Sequence, residues 1–110
     1  MTGAERLTIY LAQTDHHGHV PLYVEIVDRA RRFGLAGATV LQGSSGFGSS
    51  ARLHHAHFLP VPQDVPVVVT IVDTPRRLDG FLDEIRSLLA EVVVLRDNVE
   101  IVSPGADPGS

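Results

Sequence analysis

The chain begins with a short alternation of apolar and mixed side chains, Leu7-Thr8-Ile9-Tyr10-Leu11, with the period of two that a half-buried strand needs. Residues 14–19 are polar and read as a turn. Pro21 suits the first turn of a helix, where its missing N–H costs nothing. Leu22, Ile26, Ala30 and Phe33 then recur at helical spacing, and Tyr23 and Val27 widen the stripe. Glu25, Asp28, Arg29, Arg31 and Arg32 fall mainly on the other face, and Gly34 follows as a left-handed C-terminal cap. Ala38-Thr39-Val40-Leu41 predicts a second, short strand.

Regular patterning then stops for roughly 20 residues up to Gln63, a connection length that usually carries function or disorder. It resumes at Pro66-Val67-Val68-Val69-Thr70-Ile71-Val72, apolar almost throughout and so expected at the centre of a sheet. Asp73-Thr74-Pro75 is a cap followed by a helix-starting proline. Leu78, Leu82, Ile85 and Leu89, with Phe81 and Leu88, form a second amphipathic stripe. The pattern next predicts Val92-Val93-Val94-Leu95, a polar break at Arg96-Asp97-Asn98, and a final strand at Val99-Glu100-Ile101-Val102. Residues 103–110 lack an apolar anchor and are expected to be a disordered tail, which puts one domain at residues 1–102. The order β-α-β, long loop, β-α-β predicts an α+β, ferredoxin-like βαββαβ fold: an antiparallel sheet with two helices on one face.

Composition narrows the function classes. The chain has 110 residues, no cysteine, and a formal charge of −4 with its histidines neutral. Thiolate metal sites and disulfides are excluded, and the acidic balance gives no footprint for nucleic acid. No apolar run approaches the roughly 20 residues that span a bilayer, so a cytoplasmic location is expected. All nine cations are arginine, which removes Schiff-base chemistry and the phosphate-binding lysine of a P-loop. No nucleophile stands in a recognisable motif with a base, and Asp83-Glu84 reads as a solvated helix face, so no enzymatic activity and no catalytic residue are expected.

Two constellations carry candidate chemistry. The run Gly43-Ser44-Ser45-Gly46-Phe47-Gly48-Ser49-Ser50 can present backbone N–H groups and hydroxyls to an anion, or serve as a plain flexible linker. It is not a Walker motif, since no Gly-Lys-Ser/Thr closes it. Arg52 can add a bidentate cation, or simply pair with Asp64. The six histidines form two triplets, His16-His17-x-His19 and His54-His55-x-His57. In extended chain, His17 with His19 and His55 with His57 share a face and can chelate zinc, copper or nickel. The plainer reading is exposed histidine without a role.

The element order and long loop, with Pro21-Leu22-Tyr23, Gly34-Leu35-Ala36-Gly37-Ala38-Thr39-Val40, Gly46-Phe47-Gly48, Arg52-Leu53-His54 and Asp64-Val65-Pro66-Val67-Val68, resemble the PII-like family catalogued as domain of unknown function 190. The resemblance runs from about Glu5 to Val102. It implies a homotrimer related to the PII nitrogen-regulatory signalling proteins, with small-ligand sites in the clefts between subunits. It also implies a mobile T-loop that docks partner proteins. Some members are encoded beside fluoride-channel genes, which points to a membrane transporter or channel as partner.

Carried over by motif, the resemblance implies contacts to a ligand, an adenine nucleotide or another anion, at Thr39, Gly43, Gly46, Phe47, Gly48, Ser49, Ser50 and Arg52, with Arg96 as further positive charge. Departures from PII are specific. Gly46-Phe47-Gly48 stands one residue further from Thr39, and Ser49-Ser50 replaces the PII Arg-Gln that supports magnesium and 2-oxoglutarate. Val94-Leu95-Arg96-Asp97-Asn98-Val99 has neither the glycines nor the lysine that hold phosphates in PII. The loop has no tyrosine for uridylylation. The alternative is a trimer like the copper-tolerance protein CutA, binding divalent metal through His17, His19, His54, His55 and His57.

Overall fold

The computed structural model describes residues 3–43 and 65–105. In chain order the elements are β1 (Ala4–Ala12), β2 (His16–His17), β3 (Val20–Pro21), α1 (Leu22–Phe33), β4 (Thr39–Gln42), β5 (Pro66–Asp73), α2 (Pro75–Ile85) and β6 (Val93–Val99). A 3-10 turn, Arg86–Leu88, tightens the end of α2. Residues 106–110, most of the expected tail, lie outside the described residues. Four strands form one antiparallel sheet in the order β4-β5-β1-β6. Each helix therefore crosses over one intervening strand, the split β-α-β arrangement expected from the pattern.

Alternation along the two central strands decides where the helices sit. Leu7, Ile9 and Leu11 of β1 and Val67, Val69 and Ile71 of β5 are fully buried, against Ile26 of α1 and Leu78, Phe81 and Ile85 of α2. Burying each such side chain stabilises the fold by about 1.5–3 kcal/mol. Phe33 and Phe81 meet edge to face, with ring centroids 5.7 Å apart. A Cβ on Gly80 would lie 3.1 Å from Cζ of Phe33, so the glycine within α2 makes room for that ring.

The helix ends follow their capping residues. Thr74 precedes α2, its hydroxyl accepting from the Arg77 N–H, and Pro75 fills the first helical position. Gly34 ends α1 at φ 91°, its N–H donating to the carbonyls of Ala30 and Arg31. Pro21 lies one position earlier than expected, just before α1, and the Leu22 N–H donates to the Asp15 carbonyl at 2.7 Å.

Two expectations are corrected. Residues 14–19 are more than a turn: His16–His17 pairs with Val20–Pro21 as a hairpin, with Gly18 at φ 64° opening its two-residue loop. The chain also does not break at Arg96-Asp97-Asn98 and restart at Val99. β6 runs unbroken from Val93 to Val99, and residues 100–102 lie outside the sheet. The polar residues stay in the strand because their partners await them. Asp97 faces Arg6 across the ladder and accepts from its Nε and Nη2 at 3.1 and 2.7 Å. Arg96, one residue along and so on the helix side, donates to Glu5 at 2.5 Å, Asp79 at 2.7 Å and the Pro75 carbonyl at 3.0 Å.

The other side of the sheet carries Thr8, Tyr10, Val68, Thr70, Val72 and Val93, with Leu41 and Leu95 toward its two edges. Among the described residues no second layer covers this face.

Candidate functional site

The site begins where the resemblance points, at β4 and the loop that leads into it. That loop, residues 34–38, is held by one buried carboxylate at the end of β5. Asp73 accepts from the Ala36 N–H at 3.1 Å, from the Thr74 N–H at 2.8 Å and from Arg77 Nε at 3.1 Å. Arg77 also donates to the Gly34 carbonyl. The C-terminus of α1, the start of α2 and the approach to β4 are thus tied to a single side chain, only 8% exposed. In the sequence Asp73 reads only as part of a helix start. Its spacing of four from Arg77 is the one local signal for the ion pair.

β4 itself is a sheet edge. Thr39, its first residue, is exposed and sits opposite Thr70. At its far end the Gln42 amide donates to the Tyr23 hydroxyl at 3.4 Å. Gly43 follows, its N–H donating to the Pro66 carbonyl at 2.8 Å. A Cβ there would stand 2.8 Å from Pro66 Cγ, a distance at which something must move, so close packing already demands glycine at this position.

Gly46, Phe47, Gly48, Ser49, Ser50, Arg52, His54, His55 and His57 lie outside the described residues. Arg96 is on the opposite edge of the sheet from β4, with β5 and β1 between them. Its guanidinium, hydrogen-bonded first to Asp79 and then to Glu5, has its pKa held above the ordinary arginine value, and its charge is matched within the subunit. Within one chain, therefore, Thr39 and Gly43 share one edge while Arg96 serves the other.

Of the histidines, His16, His17 and His19 are exposed on the β2–β3 hairpin, where His16 Nδ1 meets the Thr14 carbonyl. Among the described residues no three His, Asp or Glu side chains gather in a way that would hold a metal ion. None of the described helices is long and apolar enough to cross a membrane.

One further surface has no signal in the sequence. Val20, Tyr23, Val24, Val27 and Val40 line a groove of about 570 Å³ between α1 and β4, rimmed by Glu25, Asp28 and Arg31.

A four-stranded antiparallel sheet in the order β4-β5-β1-β6, with both helices on one face, defines the class as a PII-like ferredoxin fold. The chain belongs to the DUF190 family, described as "Uncharacterized ACR", which it matches over residues 4–101. A UPF0166 protein of Aquifex aeolicus (strain VF5) is 29% identical over 96 residues, covering 87% of this chain and 90% of the relative. Among solved structures, CPII of Thiomonas intermedia K12 bound to ADP and bicarbonate superposes with a TM-score of 0.64 at 18% identity, over 92% of this chain and 90% of that one. A Thermus thermophilus protein assigned to PII-like signaling gives a TM-score of 0.59 at 17% identity, over 90% and 89%. At these identities the likeness is one of fold.

Proposed function

We propose that the protein is a trimeric PII-like regulator that binds a small anionic ligand, an adenine nucleotide in the first instance, in clefts between subunits. The observation that carries this reading is the separation of Thr39 and Gly43 on one sheet edge from Arg96 on the other. A site that uses both sets of residues needs two copies side by side. The uncovered, partly apolar sheet face supplies the surface on which copies would pack, as a small domain that buries limited surface alone would favour. CPII, which shares the fold, has been solved with ADP and bicarbonate, and with ADP, AMP and acetate.

In this reading Thr39, Gly43, Gly46, Phe47, Gly48, Ser49, Ser50 and Arg52 of one subunit meet the ligand. Arg96 of the neighbour joins them only by giving up Glu5 or Asp79, which leaves Arg52 as the principal cation. Ligand contact would set the conformation of residues 43–63 and change their docking to a partner, a membrane transporter or channel being the partner the resemblance suggests. The ligand drives the change through its higher affinity for the docking-competent conformation.

A thermal-shift screen of the full chain tests this. ADP, ATP or AMP should raise the melting temperature, since a ligand at 100 times its Kd adds about 2.7 kcal/mol to stability. Arg52→Ala and Gly46→Val should abolish the shift. Stabilisation by Zn²⁺, Cu²⁺ or Ni²⁺ alone would overturn the reading.

A further inference from the structure

Between the end of α1 and the first residue of β4 the chain runs through Gly34-Leu35-Ala36-Gly37-Ala38 outside any helix or strand. Leu35 is buried in the core, whereas Ala36, Gly37 and Thr39 are exposed. A segment without ladder partners takes its shape from whatever else holds its backbone. Two of its polar groups are held from the junction of β5 and α2. The Ala36 N–H donates to Asp73 Oδ2 at 3.1 Å, and the Gly34 carbonyl accepts from Arg77 Nη2. Among the described residues nothing accepts from the Gly37 or Ala38 N–H. The Ala36 bond is therefore the last hold on the loop before Thr39 pairs with Thr70.

The Asp73 side chain is almost wholly buried, and its two oxygens serve different neighbours. Oδ1 accepts from the Thr74 N–H at 2.8 Å and from Arg77 Nε at 3.1 Å, both at the start of α2. Oδ2 is left for Ala36. Arg77 matches the carboxylate's charge, so Asp73 can stand behind an anion-binding loop without repelling the anion.

We infer that Asp73 is a positioning residue for the candidate ligand site: through Ala36 it fixes the approach to β4, and so where Thr39 stands, before a ligand arrives. A loop ordered in advance removes its ordering entropy from the binding step, and affinity rises accordingly. Asp73 touches no ligand in this scheme. Arg77 completes the hold, since its planar fork reaches Asp73 and the Gly34 carbonyl together. The inference rests on the nucleotide reading proposed above, in which Thr39 meets the ligand.

An amide at position 73 keeps the size of the carboxylate but has one acceptor oxygen. With that oxygen toward Thr74 and Arg77, the NH₂ faces the Ala36 N–H donor to donor. The loop tether is lost while the contacts to α2 stay. Asp73→Asn should weaken ADP at least tenfold by isothermal titration and speed amide exchange at Ala36 at least tenfold. Ile85→Val, a core change at the other end of α2, lowers stability without touching the tether and should bind ADP as the wild type does. Should Asp73→Asn not fold, Arg77→Lys carries the test. Its single ammonium cannot reproduce the fork, and it should weaken ADP at least threefold. Wild-type affinity for ADP in these variants, or equal weakening in Ile85→Val, overturns the positioning role and leaves the nucleotide reading standing. A wild-type chain that binds no adenine nucleotide overturns that reading, and the positioning role falls with it.

Discussion

At the scale of single residues, Gly43 and Asp73 carry more than their sequence context declares. Gly43 sits in a Gly/Ser-rich run that invites a ligand-binding reading, yet its contact with Pro66 demands glycine whether or not a ligand binds. Gly43→Ala should lower stability by about 1–3 kcal/mol, the usual cost of forcing an extra methyl into a packed site. Gly37, where a Cβ would meet nothing within 4 Å and φ is not positive, should accept alanine within about 0.5 kcal/mol. Urea denaturation of the two variants, compared side by side, checks the contrast. Asp73 holds three donors, one from the loop that leads into β4 and two from the start of α2. Asp73→Ala strands the Ala36 and Thr74 N–H groups and should destabilise by about 1–3 kcal/mol, with Asp73→Asn recovering part of the loss.

At the scale of elements, pH dependence belongs to the charged pairs on α1 and the outer strand. The Arg31 side chain, hydrogen-bonded to Asp28, and the Arg6 guanidinium, hydrogen-bonded to Asp97, hold these two carboxyls below the ordinary value of 3.8. A carboxyl with a depressed folded pKa contributes stability in full above its unfolded pKa and loses it as pH falls through the folded one. The melting temperature should therefore be insensitive to these pairs near neutrality and fall below about pH 4. Asp97→Asn should flatten part of that fall, which a melting series from pH 7 to pH 2 checks. These pairs also mark the limit of what the sequence discloses. The strands at Leu7 and Pro66, the Thr74-Pro75 start and the Gly34 stop are legible because each signal is local. The continuity of β6 through Arg96-Asp97-Asn98 is not, because Arg6 and Glu5, which make those charges welcome, are 91 residues away. The His16–Pro21 hairpin is hidden for a different reason: two-residue strands are too short to show a period.

At the scale of the whole molecule, Thr39 can be placed on a strand from its apolar neighbours. That it and Arg96 occupy opposite edges cannot be read the same way, since sheet order depends on non-local pairing. This arrangement turns a list of candidate residues into a proposal about assembly: if Thr39 and Arg96 serve one ligand, neighbouring copies must bring them together. Mass should follow, with light scattering giving about 36 kDa, three times the 11.9 kDa subunit. The most direct measurement is isothermal titration of the full chain with ADP. The account predicts saturable binding at one site per subunit, lost in Arg52→Ala. An absence of binding heat for ADP, ATP and AMP at millimolar concentration, with no accompanying rise in melting temperature, would contradict it.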